Sequence, residues 1–520
     1  MYWANKIADE IISSGKYYPY WVDDMKTPSG LAHVGSLMGP VVHSIIYRSL
    51  KKRGVDVEFT FVINDFDAVD GLSDDLIPEY SKYLGFPLKA VPSPDSKFQS
   101  MADYYADDFI NSFRVLGVEA KILSSWQMYH EGKFDNVIKT ALDNSEKIRK
   151  IYKEVSGSDK EKKGWLPFQV ICEKCSKLGT TRVYSWDGKK VSYVCEPNLV
   201  EWAQGCGYQG EISPFGGNGK LPWKVDWPAH WKVMGVTIEG AGKDHASKGG
   251  SYDIAMALCE AVFDFPKPYK LPYEFLLIGG KKMSSSKGLG LKARDLVKML
   301  PPVIGRFLFA KHNIKRQANF DPYGNMAIPE LFDLYDQAQK AYWEQSDENL
   351  SAMFEYSQIT NKMPKPHFVP RFLDVVNYLQ DSKVDIYQKF SELKGDKLSL
   401  VEKKVLKERI KYARIWISGY APKKQVFLPS DTIPPEVKNL SNAQLEYLKL
   451  VLDSLESNQN PEEFQTVLYN LSKQINLPAK EAFGAIYIAL IGKPHGPKAA
   501  WFLLEHIEVA KMRFREILNL

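Results

Sequence analysis

Residues 27–37 read TPSGLAHVGSL and separate an aromatic run, YYPYWV at 17–22, from the segment GPVVHSIIYRSLKKRG at 39–54. The aromatic run reads as a buried strand. In the later segment apolar residues recur at helical spacing, and it closes on Lys51, Lys52 and Arg53 before Gly54, a last-turn cation cluster with a C′ glycine. Pro28, two glycines and His33 therefore stand where a strand hands over to a helix. Free N–H groups and the positive end of the helix dipole make such a turn a place to hold phosphate. A second strand, VDVEFTFVIND at 55–65, ends in acidic residues. This is the pattern of a doubly wound α/β sheet, which binds ligands beyond the carboxyl ends of its strands.

Strand and helix patterns return at 217–292, with VTIEGAGKD (236–244) and EFLLIGG (274–280) as strand-then-loop units. The sheet domain is thus expected in two halves, 1–95 and 217–292, around an insertion at 96–216 that holds a charged connector, GSDKEKKG, and a cysteine cluster. Beyond about 300 the pattern is helical, broken by KMPKPHFVP and LPSDTIPP.

Composition sets limits on function. The 520 residues are 44% hydrophobic, enough for a sizeable core, and no apolar run approaches the roughly 18 residues of a membrane span. The N-terminal stretch has no export-signal pattern, so a soluble, cytoplasmic protein is expected. Four of the five cysteines fall between 172 and 206, which suits a metal site in a reducing compartment better than a disulfide framework. The net charge of +5 does not by itself demand a nucleic-acid partner. From Val401 to Lys424 eight Lys or Arg face two Glu, with Tyr412, Trp416 and Tyr420 interleaved. That stretch could follow RNA, but a solvated helix face with its aromatics in the core is the favoured reading.

The second chemical stretch is GGKKMSSSKGLG, at 279–290. Glycines, hydroxyls and ammonium groups on one short loop are what a polyphosphate leaving group needs, because positioning and charge neutralisation do the work there.

Taken together, PSGLAHVGS resembles the HIGH signature and KKMSSSKG the KMSKS signature of class I aminoacyl-tRNA synthetases. WKVDWPAHW (223–231), KDHASKGGSYD (243–253) and IYIALIGKPHGPKAAWFLL (486–504) are similar to the archaeal-type class I lysyl-tRNA synthetases, over essentially the whole chain. Two positions depart from the signatures. Ser36 replaces the second histidine of HIGH, and Ser285 replaces the second lysine of KMSKS, with Lys287 two residues later.

The resemblance implies a Rossmann-like catalytic domain with a zinc-containing insertion, a stem-contacting helical linker at 293–380 and an all-α anticodon-binding cage at 381–520. It implies lysine activation by ATP with Mg²⁺, then transfer to tRNA(Lys), by a monomer that binds neither DNA nor membrane. It suggests that activation waits for tRNA. His33, Ser36, Lys282 and Lys287 are the catalytic candidates. ATP is expected on Pro28, Ser29, Gly30, His33, Gly35, Ser36, Gly242, Asp244, Lys282, Met283, Ser284 and Ser286, and lysine on Gly30, Trp223, His245 and Tyr273. For the ε-ammonium group the residues leave Asp23, Asp24, Asp226 and Glu239 open. Core packing is an equal reading for Trp227 and Trp231, and Cys259 reads as a small buried hydrophobe.

Cys172 and Cys175 form a C-x2-C knuckle, and Cys195 and Cys206 complete a thiolate set able to hold structural zinc, although the second pair is widely spaced. Three alternatives have their own discriminating features. A small nucleotidyltransferase needs neither the insertion nor the helical half, and a non-catalytic paralogue would have lost Lys282 and Lys287. A glutamyl enzyme would want an arginine for its substrate carboxylate, where this chain has Lys26 and Ala241.

Overall fold

The computed structural model describes residues 1–158, 164–280, 290–360, 362–380, 384–427, 429–430, 432–455 and 460–519. The chain forms two compact units, Met1–Asp321 with Gln337–Pro364, and Pro322–Asp336 with Lys365–Leu520. No helix of the described residues is long and apolar enough to cross a membrane.

The first unit is built on a parallel five-stranded sheet of β1 (Tyr20–Lys26), β2 (Val57–Ile63), β3 (Lys121–Ser124), β4 (Ile238–Gly242) and β5 (Tyr269–Tyr273), in the order β5-β4-β1-β2-β3. Chain order reverses between β1 and β4, which makes their carboxyl ends a topological switch point. β1 pairs with β2 along its whole length, from Tyr20↔Val57 to Lys26↔Ile63, but with β4 only at Val22↔Ile238 and Asp23↔Glu239. Beyond Asp23 the two strands part, and a crevice opens.

Two strands lie where the sequence did not place them. β3 falls within the segment expected to be insertion; it is a four-residue edge strand, too short for its alternation to register. EFLLI contributes only Leu276–Leu277, paired with Ala318–Asn319. The sheet strand is β5, whose apolar run is interrupted by Lys270 and Pro272; proline is tolerated because β5 is an edge.

The turn after β1 behaves as the sequence implies. His33 caps a 3₁₀ turn, Val34–Leu37, which runs into helix α1 (Met38–Lys52). Gly54 closes that helix with φ +76°, its N–H donating to the Lys51 carbonyl at 2.9 Å. Trp223–Met234 forms helix α2, with Trp227 and Trp231 buried. The cysteine-bearing segment carries an antiparallel ribbon of Thr181–Trp186, Val191–Cys195 and Gln209–Ile212. Its base is closed by Gln169–Val170 against Gly219–Lys220.

The second unit is helical. Leu400–Gly419 starts at a capping box of Ser399 and Glu402, and Tyr412 and Trp416 are buried, so this basic stretch does present a solvated face over a packed one. Asn442–Ser454, Pro461–Gln474, Ala479–Ile491, Ala499–Glu505 and Ile507–Leu518 share one apolar core.

Candidate active site

A cavity of about 630 Å³ occupies the crevice beyond the carboxyl ends of β1, β4 and β5. It gathers Ser29, His33, Gly35, Ser36, Gly242, Asp244, His245 and Tyr273, eight residues the sequence singled out from three separate stretches. Gly30 lines a smaller neighbouring cavity with Ser29, and Pro28 is buried beneath the loop. Lys282, Met283, Ser284, Ser286 and Lys287 lie outside the described residues. The chain that follows them is fixed against the first signature, however. Val34 N–H donates to the Leu291 carbonyl and Ala293 N–H to the Ala32 carbonyl, each at 2.8 Å. Leu291–Ala293 is thereby held beside His33, with Lys292 bridged to it.

The floor of the crevice explains why it stays open. Gly240 has no β1 partner, and its N–H donates instead to His43 Nε2 at 2.7 Å. The other ring nitrogen of His43, Nδ1, faces the Gly39 carbonyl at 2.7 Å, which fixes the neutral tautomer with its proton on Nδ1. Gly39 has a reason to be glycine, since a Cβ there would lie 2.5 Å from Asp24 Oδ2 and 3.1 Å from the Tyr273 hydroxyl.

The structure separates the four candidate carboxylates. Asp23 is fully buried and accepts from Thr60. Glu239 accepts from both buried indoles, Trp227 Nε1 at 2.7 Å and Trp231 Nε1. Burial drives the carboxyls of Asp23 and Glu239 well above the ordinary carboxylate range, and the neighbouring charge of Asp23 adds to the rise at Glu239. Asp226 is committed to Lys220, 3.0 Å away, and to the Tyr129 hydroxyl. Burial works to raise its pKa, but the Lys220 ammonium holds it below the ordinary value. Of the four, only Asp24 lines the cavity. Burial raises its carboxyl, while the Met25 N–H and the Lys26 ammonium draw it back.

The same network ties down the start of the signature loop. Thr27 Oγ1 donates to Asp67 Oδ2 at 2.6 Å, and Lys220 Nζ donates to Asp67 Oδ1 at 2.6 Å and to Asn64 Oδ1 at 3.0 Å.

Trp223 is placed differently from the expectation. It lines a second cavity, of about 490 Å³, with Tyr152, Trp165 and Phe168. It stacks on Trp227 at 4.9 Å and meets His245 at 5.8 Å, so it backs a cavity residue without lining that cavity. The sequence reading missed Gly39 and His43, which only tertiary proximity reveals. Asp24 and Lys26 carried a signal, a charge at every second position of a strand about to end.

The cysteines converge as well. The Sγ atoms of Cys172, Cys175, Cys195 and Cys206 all lie within 4.8 Å of one another, with Cys172–Cys206 and Cys175–Cys195 each at 3.6 Å. A tetrahedral thiolate site with zinc–sulfur bonds of about 2.3 Å places its sulfurs about 3.8 Å apart, so the donor set fits a metal ion. The wide spacing of the second pair is bridged by a return of the chain, with Cys206 N–H pointing at Cys195 Sγ at 3.3 Å. Cys259 is buried, apart from the cluster.

Comparison with known proteins agrees with this geometry. The family model for "tRNA synthetases class I (K)" matches residues 1–360. A lysine--tRNA ligase of Archaeoglobus fulgidus is 31% identical over 504 residues, and one of Methanocaldococcus jannaschii is 33% identical over 528. Each alignment covers 97% of this chain and 97% of the relative. With the first signature at the crevice and the likeness running end to end, the chain belongs to the class I lysyl-tRNA synthetases.

Proposed function

We propose that this enzyme joins lysine to ATP in the crevice between β1 and β4 and then passes the lysyl group to tRNA(Lys). The observation that carries this reading is the end-to-end identity with lysine--tRNA ligases, at 31% or more. In the first step a carboxylate oxygen of lysine attacks the α-phosphorus as its bond to pyrophosphate breaks. In the second, a hydroxyl of the terminal ribose attacks the acyl carbon and AMP leaves. Neither step needs a protein nucleophile.

His33, Gly35 and Ser36 are suited to the adenosine and phosphates, supported by their place at the start of the turn into α1. Lys282 and Lys287, with Met283, Ser284 and Ser286, would meet the departing pyrophosphate, since the chain leaving that loop is pinned to Ala32 and Val34. Mg²⁺ would accompany the ATP phosphates and offset their charge. Gly242 and Asp244 border the same space, and Gly30 and Tyr273 with His245 would flank the amino acid. Asp24 is assigned to the lysine ε-ammonium, and Trp223 to the support of His245.

Zinc on the four cysteines would tie the ribbon together and add to its folding energy. The segments 293–380 and 381–520 are assigned to the tRNA stem and anticodon, in a cytoplasmic monomer. ATP–pyrophosphate exchange with each amino acid, with and without total tRNA, tests the reading. A lysine-only signal that tRNA stimulates is expected, and exchange with glutamate in its place would overturn it.

A further inference from the structure

Alternation along β1 turns Asp24 and Lys26 toward the same side of the sheet, and both line the crevice. The backbone of Lys26 is fixed, paired with Ile63 and accepting the Asn64 N–H at 3.0 Å. Its ammonium lies 5.9 Å from the centroid of the Phe109 ring and forms no ion pair with any described residue. The negative charges that act on it are those of Asp24 and Asp244, themselves cavity residues. Burial pushes its pKa down, and these two carboxylates push it back up.

Two fully buried cations of this unit are saturated. Lys220 is held by Asp67 and Asp226, and Arg306 by the carbonyls of Tyr356 and Leu116 and the Ser44 hydroxyl. A cation kept from water is costly unless something compensates it. Lys26 is only half-buried, on the wall of the cavity, and an anion entering there meets its ammonium with no ion-paired carboxylate among the described residues to displace.

We propose that Lys26 is a further catalytic residue of the activation step, its ammonium holding an oxyanion of the reacting pair: an α-phosphate oxygen of ATP or the α-carboxylate of the amino acid. The inference rests on the function proposed above. While the bond from carboxylate oxygen to α-phosphorus forms and the bond to pyrophosphate breaks, Lys26 gives up no proton and takes none. It offsets charge that passes from one oxygen set to the other. Both candidate anions are adjacent in the reaction, and the test below tells them apart.

Full-length wild type, K26M and K26R are compared in ATP–pyrophosphate exchange with total tRNA present, and in equilibrium binding of lysine and of lysinol, which lacks the carboxylate. K26M is expected to lose about 30-fold or more in kcat/KM, with K26R restoring most of it, while thermal midpoints stay close to wild type. Weaker binding of lysine with unchanged binding of lysinol would assign the carboxylate. Unchanged binding of both with a lower kcat would assign the α-phosphate.

The proposal is overturned if K26M turns over within about twofold of wild type, or if K26R loses as much as K26M. A K26M chain that fails to fold would also overturn it, by making the ammonium a structural group. Wild type without lysine-dependent exchange would instead sink the functional reading on which the inference depends.

Discussion

Asp23 and Asp24 are adjacent in sequence and face opposite sides of β1. On the side of Asp23 every partner is protein: Trp21 Nε1 donates to Thr60 at 2.9 Å, Thr60 donates to Asp23, and Glu239, in register with Asp23, accepts from two indoles. On the side of Asp24 the neighbours are a histidine ring 3.8 Å away, a glycine with no room for a side chain, and open cavity. The same residue type is a structural group on one face and a cavity-lining group on the other. The difference is made by β4, which pairs with β1 as far as Asp23 and no farther.

The largest expected effect tests that division directly. Asp24→Asn should raise the KM for lysine by about 30-fold or more, since removing one partner of a buried charge pair costs about 2 kcal/mol at least. Asp23→Asn should leave it within about twofold, because its carboxyl reaches no ligand. Steady-state exchange kinetics on both variants checks the pair, and equal losses would erase the distinction between the two faces.

A smaller effect is expected at Gly39. The Cβ of Gly39→Ala would press on Asp24 Oδ2 at 2.5 Å, so the carboxylate must shift. Overpacking of this kind costs about 1–3 kcal/mol, and a roughly tenfold rise in the lysine KM with little change in the ATP KM is the expected split.

The smallest effect belongs to the closed face and is read as stability against pH. Asp23 and Glu239 have raised pKa values in the folded state, so the folded protein binds protons more tightly than the unfolded chain does. Stability is then complete below the ordinary carboxylate range and is lost as pH rises toward the raised values. Asp23→Asn should flatten that decline, lifting the thermal midpoint by about 2–4 °C near pH 9 and by clearly less near pH 5, where the decline has only begun. A midpoint that shifts equally at both would mean that the carboxyl is charged throughout.

Much of the open face was legible in the sequence, because its chemistry sits on short continuous stretches. PSGLAHVGS and AGKDH each place several cavity residues in a row, and the strand-turn-helix pattern says where those stretches go. The thiol cluster was legible for the same reason at Cys172 and Cys175, and less so at Cys195 and Cys206, which are joined by the return of a ribbon. The closed face was not legible. That Glu239 would meet Trp227 and Trp231, while Asp226 met Lys220, depends on the register of β4 against β1 and on how α2 lies over the sheet. Nothing in one sequence sets either. Trp223 illustrates the same limit: its place in a tryptophan run at the start of α2 was plain, but whether its ring would enter the first cavity or the second was decided by packing against His245.

The most direct test of the open face as the lysine site is a crystal structure with a non-hydrolysable lysyl-adenylate analogue. The expected result places the phosphate beside Gly35 and Ser36 and the lysyl ammonium at about hydrogen-bonding distance, roughly 3 Å, from Asp24. A lysyl chain lying instead in the cavity of Trp223 and Trp165, with Asp24 untouched, would contradict it.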